Sequence, residues 1–132
     1  MTKNFILAID QSTFASKVML FDKKAGLVSK VSLPHQQFYP QQGFVEHDAE
    51  EIFKNVVKGM KQVVSESSVS IDDLAGIAIT NQRETTLVWD RRTLRPVHNA
   101  IVWQCRRSAG ICERLRAAGL EKLFRERTGL LL

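Results

Sequence analysis

The chain has 132 residues, 44% hydrophobic and 25% charged, the make-up of one ordinary globular domain and not of a disordered or fibrous chain. Its net charge of +5 is dispersed: acids interleave with bases in Glu113-Arg114 and Arg125-Glu126-Arg127, and Arg91-Arg92 and Arg106-Arg107 each hold only two adjacent charges, so no nucleic-acid partner is expected. No apolar run approaches the length of a membrane span, so no membrane partner is expected either.

The N-terminal run Phe5-Ile6-Leu7-Ala8-Ile9 stops at Asp10 with no small-residue cleavage pattern, and it reads as a first strand over 5–10, not as a secretion signal. Residues 16–22, with Val18, Leu20 and Phe21, give a second strand. The turn Lys23-Lys24-Ala25-Gly26 leads into a third over 27–33, so the chain opens as a three-stranded meander. Residues 34–43 carry Pro34 and Pro40 and read as a loop. Asp48 is an N-cap with Glu51 in capping-box position, and apolar residues from Ile52 to Val64 recur at helical spacing, which predicts a helix over 48–65 with Val56, Met60 and Val63 in the core. Residues 67–73 form a polar linker.

Residues 74–80 are apolar through most of their length, which predicts a central strand. Residues 86–90 should pair with 97–101 across the turn 91–96. Helices are expected over 108–118, stopped by Gly119, and from 120 to about 127, ending at Gly129. The apolar end Leu130-Leu131-Leu132 suggests a fold that continues past the last residue.

Two places carry chemistry. Asp10 ends the first strand, and the turn Gln11-Ser12-Thr13-Phe14-Ala15-Ser16 follows; such turns aim N–H and hydroxyl groups at phosphate oxygens. Asp10 would hold Mg2+, directly or through water, Thr13 could donate to a phosphate, and Lys17 could add positive charge. The plain alternative is a polar hairpin turn capped by Asp10. The second place is Asn81-Gln82-Arg83-Glu84-Thr85-Thr86 with Asn99-Ala100-Ile101-Val102-Trp103-Gln104-Cys105-Arg106-Arg107. A planar Arg83 donor and a Glu84 acceptor can clasp vicinal hydroxyls, and Trp103 offers an apolar face to a carbon skeleton. Together they suit a small polyol; the alternative is a surface salt bridge and a core tryptophan. His47 reads as a loop residue anchoring the helix start, Trp89 as core or sheet-face, and Cys105 and Cys112 as packing thiols in a reducing cytoplasm.

These segments, with Ala8-Ile9-Asp10-Gln11, Gly43-Phe44-Val45-Glu46-His47-Asp48 and Thr128-Gly129-Leu130, resemble the N-terminal part of glycerol kinases in the FGGY carbohydrate kinase family. The resemblance runs nearly end to end. It implies a ribonuclease H-like α/β layer, that of actin-like ATPases: a mixed sheet opening with the meander, flanked by helices. Residues 1–132 would be an incomplete N-terminal domain, with the second actin-like domain absent. It also implies ATP-dependent phosphorylation of glycerol to glycerol 3-phosphate, with ATP and Mg2+ as cofactors. Arg83 and Glu84 would bond the glycerol hydroxyls, Trp103 would pack on its carbons, and Asp10, Thr13 and Lys17 would face the nucleotide. A homo-oligomer is compatible with it in the full-length form. The family's general base lies beyond Leu132, so no catalytic residue is assigned and the chain alone should be inactive.

Three positions depart from the family pattern: Ser12 stands where Gly is usual, Phe14 where Thr is usual, and Lys17 where Arg is usual. A Cβ at 12 hinders backbone approach to a phosphate, and Phe14 replaces a hydroxyl with bulk. A polyol-binding or regulatory remnant without catalysis therefore stands beside the kinase reading. A ribonuclease H-like nuclease needs several carboxylates around two metals, and the strand over 74–80 runs into Asn81, not an acid.

Overall fold

Apolar side chains at every second position build the first three strands of the computed structural model. It describes residues 3–132, so Met1 and Thr2 of the N-terminal run lie outside the described residues. Strand β1 is Phe5–Gln11, β2 Ala15–Asp22 and β3 Leu27–Pro34. Leu7 and Ile9, Val18 and Leu20, and Val31 point to one face and are buried there. The strands pair antiparallel, with Ile9 opposite Val18 and Val18 opposite Val31, as the expected meander.

Helix α1, Ala49–Ser67, covers that face. Val63 is fully buried against the strand residues, with Val56, Met60 and Val64 packed around it. Gly59 lets the helix approach: a Cβ there would lie 2.7 Å from Val18 Cγ2. Asp48 caps the helix, its carboxylate accepting from the Glu50 N–H at 2.8 Å, and Glu50 and Glu51 sit favourably in the first turn. The reciprocal half of the capping box does not form, because Glu51 instead accepts from the Gln36 N–H at 3.1 Å. A 3-10 turn, Ile71–Asp73, capped by Ser70, interrupts the expected linker.

Strand β5, Leu74–Thr80, returns parallel to β1, with Ala8 opposite Ala78 and Asp10 opposite Thr80. The sheet order is β3-β2-β1-β5. This corrects the expectation of a central strand: among the described residues β5 is an edge, and Ile77 and Ile79 are 56% and 71% exposed. Apolar content reports that a strand suits burial on both faces; it does not say which elements supply that burial.

A second sheet was not anticipated. It pairs two short strands, β4 (Glu46–His47) and β6 (Ala100–Ile101), with His47 opposite Ala100. Residues 86–101 fold back as expected, through hydrogen bonds between Thr86 and Ile101 and from the Val97 N–H to the Val88 carbonyl. Trp89 on this hairpin is 55% exposed, not core. Helices α2 (Ala109–Ala117) and α3 (Glu121–Thr128) are followed closely by Gly119 and Gly129, both at positive φ. No helix among the described residues is long and apolar enough to cross a membrane.

Candidate functional site

Because β1 and β5 run parallel and end in register, their carboxyl ends open on the same side. Ligands of open α/β sheets bind in this position. A cleft of about 520 Å³ lies there, lined by Asp10 to Thr13 from the β1–β2 turn, Asn81 to Glu84 beyond β5, and Trp103 beyond β6. The segments read separately from the sequence thus form one concavity. Lys17 is not on its lining, but reaches Asp10 from β2.

Asp10 is held from both sides. Its Oδ1 accepts from the Thr80 hydroxyl at 2.9 Å, and its Oδ2 from Lys17 Nζ at 3.2 Å. These contacts, the Thr80 bond first and Lys17 next, lower its pKa and keep it ionised. The side chain is 38% exposed. An ionised carboxylate open to a cleft suits Mg2+, which is commonly bound through one or two carboxylates with waters and phosphate oxygens as further ligands. No cluster of three or more His, Cys, Asp or Glu residues able to hold a metal exists among the described residues.

The β1–β2 turn is closed internally. The Ser12 N–H and hydroxyl both donate to the Ala15 carbonyl, at 3.1 and 2.9 Å. Phe14 projects from the turn and is 62% exposed. Thr13 Oγ1 accepts from the Trp103 indole N–H at 3.0 Å. A hydroxyl that accepts this way keeps its own proton for another acceptor, so Thr13 remains able to donate to an anionic oxygen.

On the opposite wall, the Gln82 amide donates to Thr85 Oγ1 at 2.7 Å and closes the turn that carries Arg83 and Glu84. Glu84 has φ 59°, a left-handed conformation that a side chain with a Cβ adopts at a cost. Arg83 and Glu84 are both exposed along the cleft, and Trp103 is 54% exposed. The wall presents donor, acceptor and aromatic face to the same space.

Two polar clusters behind the cleft were missed. Glu46, 6% exposed, accepts from Arg107 Nη2 at 2.5 Å and from the Asn99 amide at 3.2 Å. Arg107 also stacks over Phe44 and donates to Cys105 Sγ at 3.0 Å. Burial pushes the Cys105 thiol up, but the N–H groups of Arg107 and Val45 and the Arg107 side chain outweigh it, and the pKa falls below the ordinary thiol value. The Arg107 bond, partly offset by burial, lowers the Glu46 pKa.

The second cluster contains His35, Gln37 and His47. His47 is fully buried, not a loop residue, and burial, with the nearby His35, drops its pKa to about 4. The available signal was that Glu46, His47, Asn99 and Arg107 all stand in the strings that carry the family resemblance.

The N-terminal-domain model of the FGGY family of carbohydrate kinases matches residues 5–132. The chain belongs to the FGGY family. It is similar to "Glycerol kinase 1" of Thermotoga maritima, 47% identical over 97% of this chain and 26% of that protein. It is also similar to the glycerol kinase of Bacillus velezensis, 51% identical over 98% of this chain and 26% of that one. Among solved structures, Plasmodium falciparum glycerol kinase with ADP superposes with a TM-score of 0.86 at 33% identity, over 98% of this chain and 26% of that one. This FGGY chain therefore spans about a quarter of the length of the relatives it matches, and its mixed sheet and helices are those of an N-terminal actin-like domain fragment.

Proposed function

We propose that this chain supplies the acceptor wall and part of the phosphate wall of an ATP-dependent glycerol kinase. It would act as part of the first of two domains flanking a nucleotide cleft, in the cytoplasm. The observation that carries the reading is the convergence of Arg83, Glu84 and Trp103 with Asp10 and Thr13 in one cleft at the ends of β1 and β5. Arg83 would donate to hydroxyl oxygens of glycerol and Glu84 would accept from hydroxyl protons. Trp103 would cover the carbon chain and exclude water from one side. Asp10 would hold Mg2+, Thr13 would donate to a phosphate oxygen, and Lys17 would add positive charge beside them. Nucleotide-bound Mg2+ supplies charge neutralisation on the transferred phosphoryl group. The base that takes the proton of the acceptor hydroxyl is expected from beyond residue 132.

Glycerol titrated into the 132-residue chain, followed by the Trp103 indole resonance, tests the acceptor wall. Weak saturable binding is expected, abolished by Arg83→Ala. An unperturbed resonance at high glycerol would overturn it.

A second reading, polyol binding without transfer, is favoured by the phosphate turn. Ser12 spends its N–H and hydroxyl on Ala15, Phe14 stands exposed where a hydroxyl would serve, and Lys17 is drawn onto Asp10. Calorimetry with Mg-ATP on the Ser12→Gly, Phe14→Thr variant separates the two. Tighter binding by the variant marks the turn as the element that limits nucleotide affinity, and equal affinity shows that it is not.

A further inference from the structure

The cleft is backed by a buried polar set whose hydrogen bonds fix its own protonation pattern. The Gln37 amide nitrogen donates to the Thr13 carbonyl at 3.0 Å, so its amide oxygen faces the other way. That oxygen lies 2.6 Å from His47 Nε2, which must therefore carry the proton. His35 Nε2 lies 2.9 Å from the same Thr13 carbonyl and must also carry its proton. The rings meet edge to face, with centroids 4.7 Å apart and planes at 74°. Both Nδ1 atoms are buried without a hydrogen-bond partner among the described residues. A flipped Gln37 amide would set oxygen against oxygen at Thr13, so one arrangement is selected.

These bonds belong to a closed ring. Thr13 Oγ1 accepts from the Trp103 indole. Trp103 follows β6 by two residues, β6 pairs with β4 through Ala100 and His47, and His47 returns through Gln37 to Thr13. The neighbour of Gln37, Phe38, is itself bridged to Glu46 by two backbone hydrogen bonds of 3.0 and 2.9 Å. A closed ring of short links allows little independent movement of its members. The cost of leaving the part-buried carbonyl of Thr13 unpaired holds the turn against His35 and Gln37.

We propose that His35, Gln37 and His47 are positioning residues: they fix the Thr13 peptide and, through its hydroxyl, the orientation of the Trp103 indole, so that the two walls of the cleft keep one spacing. The inference rests on the proposed function for what the walls would hold. The mechanical coupling itself involves no substrate.

The test is the indole N–H spectrum of the 15N-labelled 132-residue chain, which holds two tryptophans. Thr13→Val identifies the Trp103 resonance, because it removes the acceptor. Gln37→Met keeps the bulk of the side chain but cannot donate to Thr13, and His35→Gln alters the other donor. Both variants are expected to move the Trp103 resonance toward its Thr13→Val position and to speed exchange of its indole proton roughly tenfold, as loss of one hydrogen bond allows. The Trp89 resonance should stay in place. An unmoved Trp103 resonance in the folded variants would overturn the proposal. Loss of the fold in both would overturn it too, since the three side chains would then be forming the core and not positioning a site. A chain that bound neither glycerol nor nucleotide would leave this result intact, so the two readings fail separately.

Discussion

Glu46 is a buried carboxylate that depends on Arg107, and the two residues are 61 positions apart in sequence. Removing the guanidinium with Arg107→Ala leaves the carboxylate, among the described residues, with the Asn99 amide as its side-chain hydrogen-bond donor, and a loss of about 3 kcal/mol in urea denaturation is expected. The double variant Glu46→Gln, Arg107→Ala should recover part of that loss, because the uncompensated charge is gone. His47 gives a pH signature. Its pKa falls from 6.5 to about 4 in the folded chain. Between those values the unfolded chain takes up a proton that the folded chain refuses. Stability is therefore full above pH 6.5 and declines as pH falls toward 4, by about 3 kcal/mol at 1.36 kcal/mol per unit. His47→Gln should flatten the stability profile in that window. Asp10 and Glu46, with pKa values lowered from 3.8 and 4.5, act in the same direction at lower pH: their contribution is present above those values and fades as pH falls further. None of these pairings was legible in the sequence. A histidine between two acids reads as a loop residue anchoring the helix start, and a partner 61 residues away leaves no local period.

At the scale of elements, Val18, Leu20 and Val31 announced their strands by alternation, and Asp48 with the stripe through Val63 announced α1. Those signals are local, and the structure follows them to within two residues. Strand β4 has two residues, too few to show a period, so it was invisible, and with it the pairing of β4 to β6 at the end of the expected segment 97–101. The edge position of β5 was misread for a different reason: strand order is a property of neighbours, not of the strand. Arg83, Glu84 and Trp103 were singled out as chemistry, but nothing local in the sequence showed that Trp103 would reach Thr13. The contact of α1 with β2 offers a test of packing. Gly59→Ala gains roughly 1 kcal/mol of helix propensity, but its Cβ would lie 2.7 Å from Val18 Cγ2 in the fully buried core. Overpacking of this kind costs about 1–3 kcal/mol. A net loss of about 1 kcal/mol is expected in thermal denaturation, and a stabilised variant would show that α1 can shift outward freely.

At the scale of the molecule, the cleft is lined from two separate stretches of chain, Asp10 to Thr13 and Asn81 to Glu84, and the proposed function takes the acceptor base from beyond residue 132. Phosphoryl transfer needs nucleotide, metal and acceptor held in line. The 132-residue chain alone is therefore expected to give no glycerol-dependent ADP release above background. Turnover in the kinase range of about 1–100 per second would refute that account.

The register of β5 against β1 bears on how the chain acquires this shape. The meander joins neighbours in sequence, whereas the Thr80 to Asp10 bond closes a loop of 70 residues. Loop-closure entropy delays such contacts, so the β1–β2–β3 hairpins with α1 should form a first cooperative unit, and β5 should join it late. A strand that joins late on one exposed edge also leaves first. In hydrogen exchange, the amides of β5 should open at lower free energy than those of β1 and β2. The floor of the cleft at Asp10 would then be laid down early in folding, and the wall bearing Arg83 and Glu84 would become ordered only in the last step.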